Sequence, residues 1–547
     1  MFVTRIVVRR VALPLLCSIV GSLSVMSVDQ QAQAATSYQV EGRTLSQIKA
    51  DLAAGTVTSE QLVRAYLSRI EAIDRSGPTL RAVLAVNPHA IEDARTSDAR
   101  HGKQPPRPLE GVPVLVKDNI ETADPMPTTA GSLALAHNFA GRDAPLVARL
   151  RAAGAIILGK TNLSEWANMR GSRSISGWSG VGGLTRNPFA LDRSACGSSS
   201  GSGAAVAASL APLAIGTETD GSITCPASVN GLVGLKPTVG LVSRTHVVPI
   251  SSSQDTAGPM TRTVADAARL LSVIAGTDPA DPATTEADAH RTDYASGLDA
   301  HALNGKRIGV MRFAAGYHPE LDATFAAALD TMRHAGATLI EIKDFPGLDA
   351  LGADEQTVLL FELKVGLAAY LGSTPPAIST RTLADLIAFN EAHRDRELAL
   401  FGQELFVKAE ATTGLDDPGY RTARDNARRR AGPDGIDRLL AANGLDALVA
   451  PTGSPAWLID RIDGDHDMGS AGSLPAIAGY PHLTVPMGLV SGLPVGLSFI
   501  GPAWSEARLL SLGYAFEQAR PVEPVPRYHP ALDADPIIRA LFAPSHG

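Results

Sequence analysis

The chain reads as an α/β protein with a largely parallel or mixed central sheet in one large domain. Three observations predict this. Short apolar runs bounded by Gly and Pro alternate with stretches of helical period along most of the 547 residues. Hydrophobic residues make up 45% of the chain, enough for a large core. No linker divides the chain beyond its N-terminal region, and no internal repeat is present, although the length would allow two or three domains.

The elements follow in order. Residues 1–34 read as a secretory signal rather than part of the fold. Arg5, Arg9 and Arg10 form a basic start, Val11 to Met26 an apolar stretch, and Ala32-Gln-Ala34 a small-x-small cleavage site. The apolar run is too short and interrupted for a membrane span. Cleavage is expected after Ala34, giving an exported, periplasmic or secreted domain over 35–547. Arg9-Arg10 leaves Sec and twin-arginine export both open. Cys17 is a poor lipidation site, because bulky Leu16 precedes it.

Thr58-Ser-Glu-Gln61 is a capping box that should open a helix with Leu62, Tyr66, Leu67 and Ile70 on one face. Leu109 to Val116 should be a strand running up to Lys117, and Ala155 to Leu158 a short buried strand ending at Gly159. Ala204 to Ala211 is small and apolar, a tightly buried helix or strand. Residues 265–274 should be helical. The stretch 275–440 includes a polar segment at Asp278 to Asp299 and charged sequence from Arg381 to Phe406 that suggests long helices. Gly and Pro then bound apolar runs at Asp446–Thr452, Leu474–Pro481, Leu483–Pro486 and Gly492–Gly501, all read as buried strands.

The most informative segment is Cys196-Gly-Ser-Ser-Ser-Gly-Ser-Gly203, continuing into Gly216-Thr-Glu-Thr-Asp-Gly-Ser-Ile223. It places Ser198 and Ser222 24 residues apart, downstream of Val114-Leu-Val-Lys-Asp-Asn-Ile120. Gly216, Gly221 and their small neighbours let backbone approach a ligand closely. Successive N–H groups in such a turn can converge on one point and hold a developing oxyanion. A serine alcohol becomes nucleophilic only when a base takes its proton, and a neutral Lys in a low-dielectric site can do so.

Carried by these three separated motifs, the chain resembles the amidase signature family over most of residues 40–520. The resemblance implies a twisted mixed sheet wrapped by helices, and a Ser–Ser–Lys triad needing no cofactor. It assigns Lys117 as base, Ser198 as bridge after a cis Gly197–Ser198 peptide, and Ser222 as nucleophile. The backbone N–H groups of Thr219, Asp220, Gly221 and Ser222 become the oxyanion hole. The sequence, length and signal look most like bacterial peptide amidases, which release ammonia from C-terminal peptide amides. A broad small-amide or aryl acylamide hydrolase is the alternative, and a catalytically idle binding protein on the same scaffold is another. Many members carry Gly where Asp220 stands. Its side chain is therefore expected to turn away from the reacting carbonyl and accept local backbone N–H bonds.

Rival motifs fail on physical grounds. Gly154-Ala-Ile-Ile-Leu-Gly-Lys-Thr161 spells a P-loop, but β-branched Ile156 and Ile157 suit a strand, not a phosphate-cradling turn. Gly197-Ser-Ser-Ser-Gly201 spells a nucleophile elbow around Ser199, but no strand precedes it. Ser46-Gln-Ile-Lys49 sits on an expected surface helix. Lys160, the rival base, reads as a structural amine at a strand end. The 13 His form no His-Glu-x-x-His and no evident ligand cluster, so no metal is expected.

Net charge is −8, and residues 1–34 hold three Arg and one Asp, leaving the remainder near −10. With no basic patch this argues against a nucleic-acid partner. Without a second apolar run of spanning length, no stable membrane association is expected once the signal is removed. The implied partner is a small amide or peptide-amide substrate; oligomeric state is left open. Cys196 and Cys225 fit either a bridge or two packed thiols.

Overall fold

Reciprocal capping places the first helices. Thr58 Oγ1 accepts the Gln61 N–H at 3.2 Å while Gln61 Oε1 accepts the Thr58 N–H at 2.9 Å. This starts the helix Ser59–Arg69, which buries Leu62, Val63 and Tyr66. The same pair of bonds between Thr44 and Gln47 opens Leu45–Ala53, the helix that carries Ser46 and Lys49. The structure, a computed structural model, describes residues 38–534 and 539; the expected signal segment lies outside them. The chain from Gln39 onward is one compact unit.

The strands, in chain order, are β1 (Val83–Val86), β2 (Pro113–Lys117), β3 (Ile156–Thr161), β4 (Trp178–Ser179), β5 (Gly183–Leu184), β6 (Leu213–Glu218), β7 (Val233–Lys236), β8 (Thr256–Thr261), β9 (Arg307–Met311), β10 (Thr338–Ile342), β11 (Ala447–Pro451), β12 (His482–Val490) and β13 (Leu493–Ile500). Among the described residues β4 and β5 pair separately, and the other 11 strands form one sheet. Its order is β1-β3-β2-β6-β8-β7-β12-β13-β11-β9-β10. The sheet is mixed: β3, β2 and β6 run parallel side by side, β6, β8, β7, β12, β13 and β11 then pair antiparallel in that order, and β11, β9 and β10 are again parallel. A single mixed sheet between helices is the α/β architecture the alternation predicts.

The parallel trio positions the site. Parallel strands end at a common edge, where loops from several strands converge and ligands bind. Here those ends are Lys117, Thr161 and Glu218. The helix Ser200–Ala207 buries all eight of its residues behind this edge. Its small side chains allow that close packing, which settles the helix-or-strand alternative for the first part of Ala204–Ala211.

Several expectations need correction. β3 does not end at Gly159; Gly159, Lys160 and Thr161 are paired strand residues, which leaves no phosphate loop. Leu474–Pro481 is not a strand, because Ser473–Ala478 is a short helix closed by Gly479 at φ +72°. The Arg381–Phe406 stretch holds two short helices, Leu383–Ala392 and the beginning of Glu404–Glu410. Among the described residues the longest helix is Leu348–Gly372 instead. No helix among the described residues is long and apolar enough to cross a membrane.

Candidate active site

Lys117 closes β2 and is fully buried. Its Nζ lies 2.8 Å from Ser198 Oγ, 2.8 Å from Thr217 Oγ1 and 3.2 Å from the Thr217 carbonyl oxygen. Asn119 Nδ2 donates to Thr217 Oγ1 at 3.0 Å and fixes that hydroxyl. Burial drives the Lys117 pKa down to about 7, against the opposing charges of Asp255 and Glu218. A neutral amine has two N–H donors and one lone pair. Three contacts suit it: it donates to the two Thr217 oxygens and accepts the Ser198 hydroxyl proton.

The Gly197–Ser198 peptide is cis, as the family resemblance implies. The Ser198 carbonyl accepts the Ser164 N–H at 3.1 Å, and the next residue's N–H donates to the Ser222 carbonyl at 3.1 Å. These bonds bring the 196–200 segment against the turn that carries Ser222. Gly216 leaves the necessary room, since a Cβ there would sit 2.9 Å from both Met260 Sδ and Ser199 Oγ.

The turn itself is braced from two sides. Glu218 Oε2 accepts the N–H groups of Ile223 at 2.7 Å and Thr224 at 2.9 Å, so one carboxylate closes the turn around Ser222. Thr219 Oγ1 donates to Asp255 Oδ1 at 2.6 Å, and Asp255 Oδ2 in turn accepts from Ile250 and Ser251 N–H. Gly221 sits at φ +75° with open space where a Cβ would project. Among the described residues, no protein acceptor is paired with the N–H groups of Thr219, Asp220, Gly221 or Ser222. Four free donors beside a serine can hold a developing oxyanion.

The Asp220 carboxyl turns toward Ser473 and Glu355, and Gly472 lies beside its Oδ1. Contrary to expectation, it accepts no local backbone N–H among the described residues. Glu218 accepts such bonds instead. Sequence reading quoted Glu218 within the motif without giving it a role; its place five and six residues before the N–H groups it caps was the available signal. Lys236, fully buried on β7, was also missed. Burial lowers its pKa to about 8, opposed by Glu218, Glu506 and Asp220.

Ser199 is not a free nucleophile. Its Oγ donates to the Thr217 carbonyl at 3.0 Å and accepts the Thr217 N–H at 3.2 Å. Lys160 is likewise separated from the chemistry. Val116 pairs with Lys160 and Lys117 with Thr161, so alternation sends the two lysines to opposite faces of the sheet. Lys160 Nζ meets Asp118 Oδ1 at 3.1 Å, the Ile120 carbonyl at 2.7 Å and Thr128 Oγ1 at 2.9 Å, with both ionic partners fully buried. Lys160→Met is expected to cost about 3–5 kcal/mol, because it strands the buried Asp118 carboxylate. Denaturant melts check this, and pairing it with Asp118→Asn should recover a large part of the loss.

Cys196 and Cys225 form a disulfide, which resolves the open alternative. The bridge closes a 29-residue separation that contains both Ser198 and Ser222. Removing both thiols by Cys196→Ala/Cys225→Ala is expected to lower stability by about 3–4 kcal/mol on the loop-entropy account. Thermal unfolding with and without reductant tests it. An unchanged midpoint would mean the hydrogen bonds alone hold the loop.

A cavity of about 460 Å³ opens beside Ser198, Thr217 and Thr219, with Val248, Ile250 and Val365 among its apolar walls. Val365 comes from the long helix Leu348–Gly372. Glu362 on that helix holds Ser251 and Ser253, so the 275–440 stretch helps wall the site. A metal cluster was not expected, yet Asp460, Asp463 and His466 gather within 4.8 Å on a surface loop. Asp460 Oδ1 there accepts the Ile462 and Asp463 N–H groups, the bonding of a local turn.

Comparison with known proteins identifies the family. A family model described as Amidase matches residues 61–510. The native peptide amidase of Stenotrophomonas maltophilia is 53% identical, with a TM-score of 0.84 over 89% of this chain and 99% of that one. A probable amidase of Arabidopsis thaliana is 39% identical over 93% of this chain and 96% of its own length. One component of the glutamyl-tRNA(Gln) amidotransferase of Roseiflexus castenholzii is 38% identical over 87% and 95% respectively. With its parallel trio, buried lysine and paired serine segments, the chain belongs to the amidase family of amide-hydrolysing enzymes.

Proposed function

We propose that the protein hydrolyses carboxamides through an acyl-enzyme on Ser222, and that its substrates are C-terminal peptide amides. The observation that carries the mechanism is the buried Lys117 amine, 2.8 Å from Ser198 Oγ and with its pKa lowered to about 7. Ser222 Oγ attacks the carbonyl carbon while its proton passes to Ser198 and the Ser198 proton to Lys117. The four N–H groups of Thr219 to Ser222 hold the oxyanion. As the C–N bond breaks, a proton returns through Ser198 to the leaving ammonia. Water then repeats the cycle on the ester.

The peptide-amide reading draws support from the 53% identity to a peptide amidase. The cavity of about 460 Å³ beside Ser198 is large enough for a peptide end. Export, with the signal removed after Ala34, is part of the same proposal. The disulfide supports it, since such bridges persist in oxidising compartments. The test uses purified protein beginning at residue 35, with ammonia release from peptide amides measured against aniline release from anilides. Peptide amides should show the higher kcat/KM. Anilides preferred tenfold or more would replace this reading with a broad acylamide hydrolase, and turnover of neither would leave a binding scaffold.

A further inference from the structure

Asp220 and Glu355 come from distant parts of the chain and meet beside the reacting centre. Asp220 lies inside the turn that presents the four N–H groups; its Oδ1 sits beside Gly472, and its carboxyl neighbours Ser473 and the Glu355 carboxyl. Glu355 projects from the helix Leu348–Gly372 and is only 9% exposed. Its Oε1 accepts from Gln254 Nε2 at 2.8 Å. The same Gln254 nitrogen reaches the Thr219 carbonyl oxygen at 3.4 Å. These contacts close a ring: Thr219, Asp220, Glu355, Gln254 and back to Thr219.

Two carboxyls in hydrogen-bond contact cannot both be ionised without strong repulsion, so one of them must hold a proton. Burial and the neighbouring Asp220 charge push Glu355 well above the ordinary carboxyl range. Burial raises Asp220 to about 6. The proton therefore belongs to the pair. Other groups face it: Glu218 on β6 adds repulsion, and Lys236 on β7 opposes it. Gln254 and Ser473 are neutral at every working pH.

The geometry points to Glu355 as a positioning residue for amide hydrolysis: the proton it shares with Asp220 ties the Thr219–Ser222 turn to the long helix and fixes the direction of its N–H groups. The inference rests on the oxyanion role proposed for that turn. Oxyanion donors act only when they are aimed in advance, and a displacement of about 1 Å can cost on the order of 100-fold in rate. Loss of the shared proton at alkaline pH sets two carboxylates against each other and loosens the ring. The effect belongs in kcat, because neither Asp220 nor Glu355 lines the cavity beside Ser198.

Glu355→Gln reproduces the protonated state, since its amide donates to Asp220 while its oxygen still accepts from Gln254. The experiment is kcat and KM against pH for the wild type, Glu355→Gln and Glu355→Ala, with thermal melts of each. The wild type should lose kcat on the alkaline side. Glu355→Gln should keep kcat within about threefold and lose that alkaline limb, and Glu355→Ala should lower kcat roughly 10- to 100-fold with KM little changed. A Glu355→Gln profile that keeps the wild-type alkaline limb overturns the inference, and so does a wild type with no alkaline loss. A folded Glu355→Ala with normal kcat overturns it too. If Glu355→Ala does not fold, the Glu355→Gln profile decides alone. An active Ser222→Ala would instead remove the reading beneath it. A dead Ser222→Ala beside indifferent Glu355 variants removes only this inference.

Discussion

Ser222→Ala is expected to leave a folded protein whose turnover falls by roughly 10⁴-fold or more, the usual consequence of deleting a nucleophile from a cooperating triad. The substitution removes one hydroxyl from the turn but none of its braces. Glu218 still accepts from Ile223 and Thr224, Thr219 still donates to Asp255, and the Ser222 carbonyl still accepts from Ser199. The melting temperature should therefore move little. Ser199→Ala should behave differently. Its hydroxyl serves both the N–H and the carbonyl of buried Thr217, so losing it costs about 1–3 kcal/mol of stability. Because Thr217 also holds Lys117, some activity should go with it, though far less than for Ser222→Ala. Single-turnover release of ammonia with both purified variants separates the cases. A dead Ser199→Ala beside an active Ser222→Ala would restore the elbow reading.

Lys117 gives the second large effect. Its pKa is depressed to about 7, so the neutral, proton-accepting form is the minority below that pH and the majority above it. Activity should rise as pH increases through about 7, ahead of the alkaline loss expected from the Asp220–Glu355 pair; one unit below, about one tenth of the enzyme is competent. Lys117→Met, which keeps much of the volume, should abolish both the activity and this acidic limb. The profile of kcat/KM reports the free enzyme and is the measurement that checks it. An acidic limb that survives unchanged in a residually active Lys117→Met would assign the titration to another group, such as Asp255, which is bonded to Thr219 and raised by burial to about 6.

The legibility of this chain divides by range. Local pattern carried β2, β12, β13 and the helix Ser59–Arg69, because a strand's apolar run or a helix's capping box is written within a few consecutive residues. The same local reading misjudged Leu474–Pro481. Its apolar run suits either state, and the choice fell to the tertiary setting of Gly472 against Asp220 and of Gly479. Within Arg381–Phe406 charge suggested continuous helix, yet the segment is broken between Ala392 and Glu404. There Glu397 is fully buried, bonded to the Leu133 N–H at 2.7 Å.

The sequence by itself determined the α/β class and singled out Lys117, Ser198 and Ser222 as candidates with few rivals. Those features are compositional and local: small residues where backbone must approach, apolar runs where a lysine must be buried, and fixed order along the chain. Only the tertiary structure decided the Cys196–Cys225 bridge, the Glu218 brace and the meeting of Asp220 with Glu355. It also set which of two buried lysines lies beside a serine. Pairing Val116 with Lys160 rather than Lys117 with Lys160 puts the two amines on opposite faces of the sheet. That register is fixed by packing between strands distant in sequence, where no local pattern reaches.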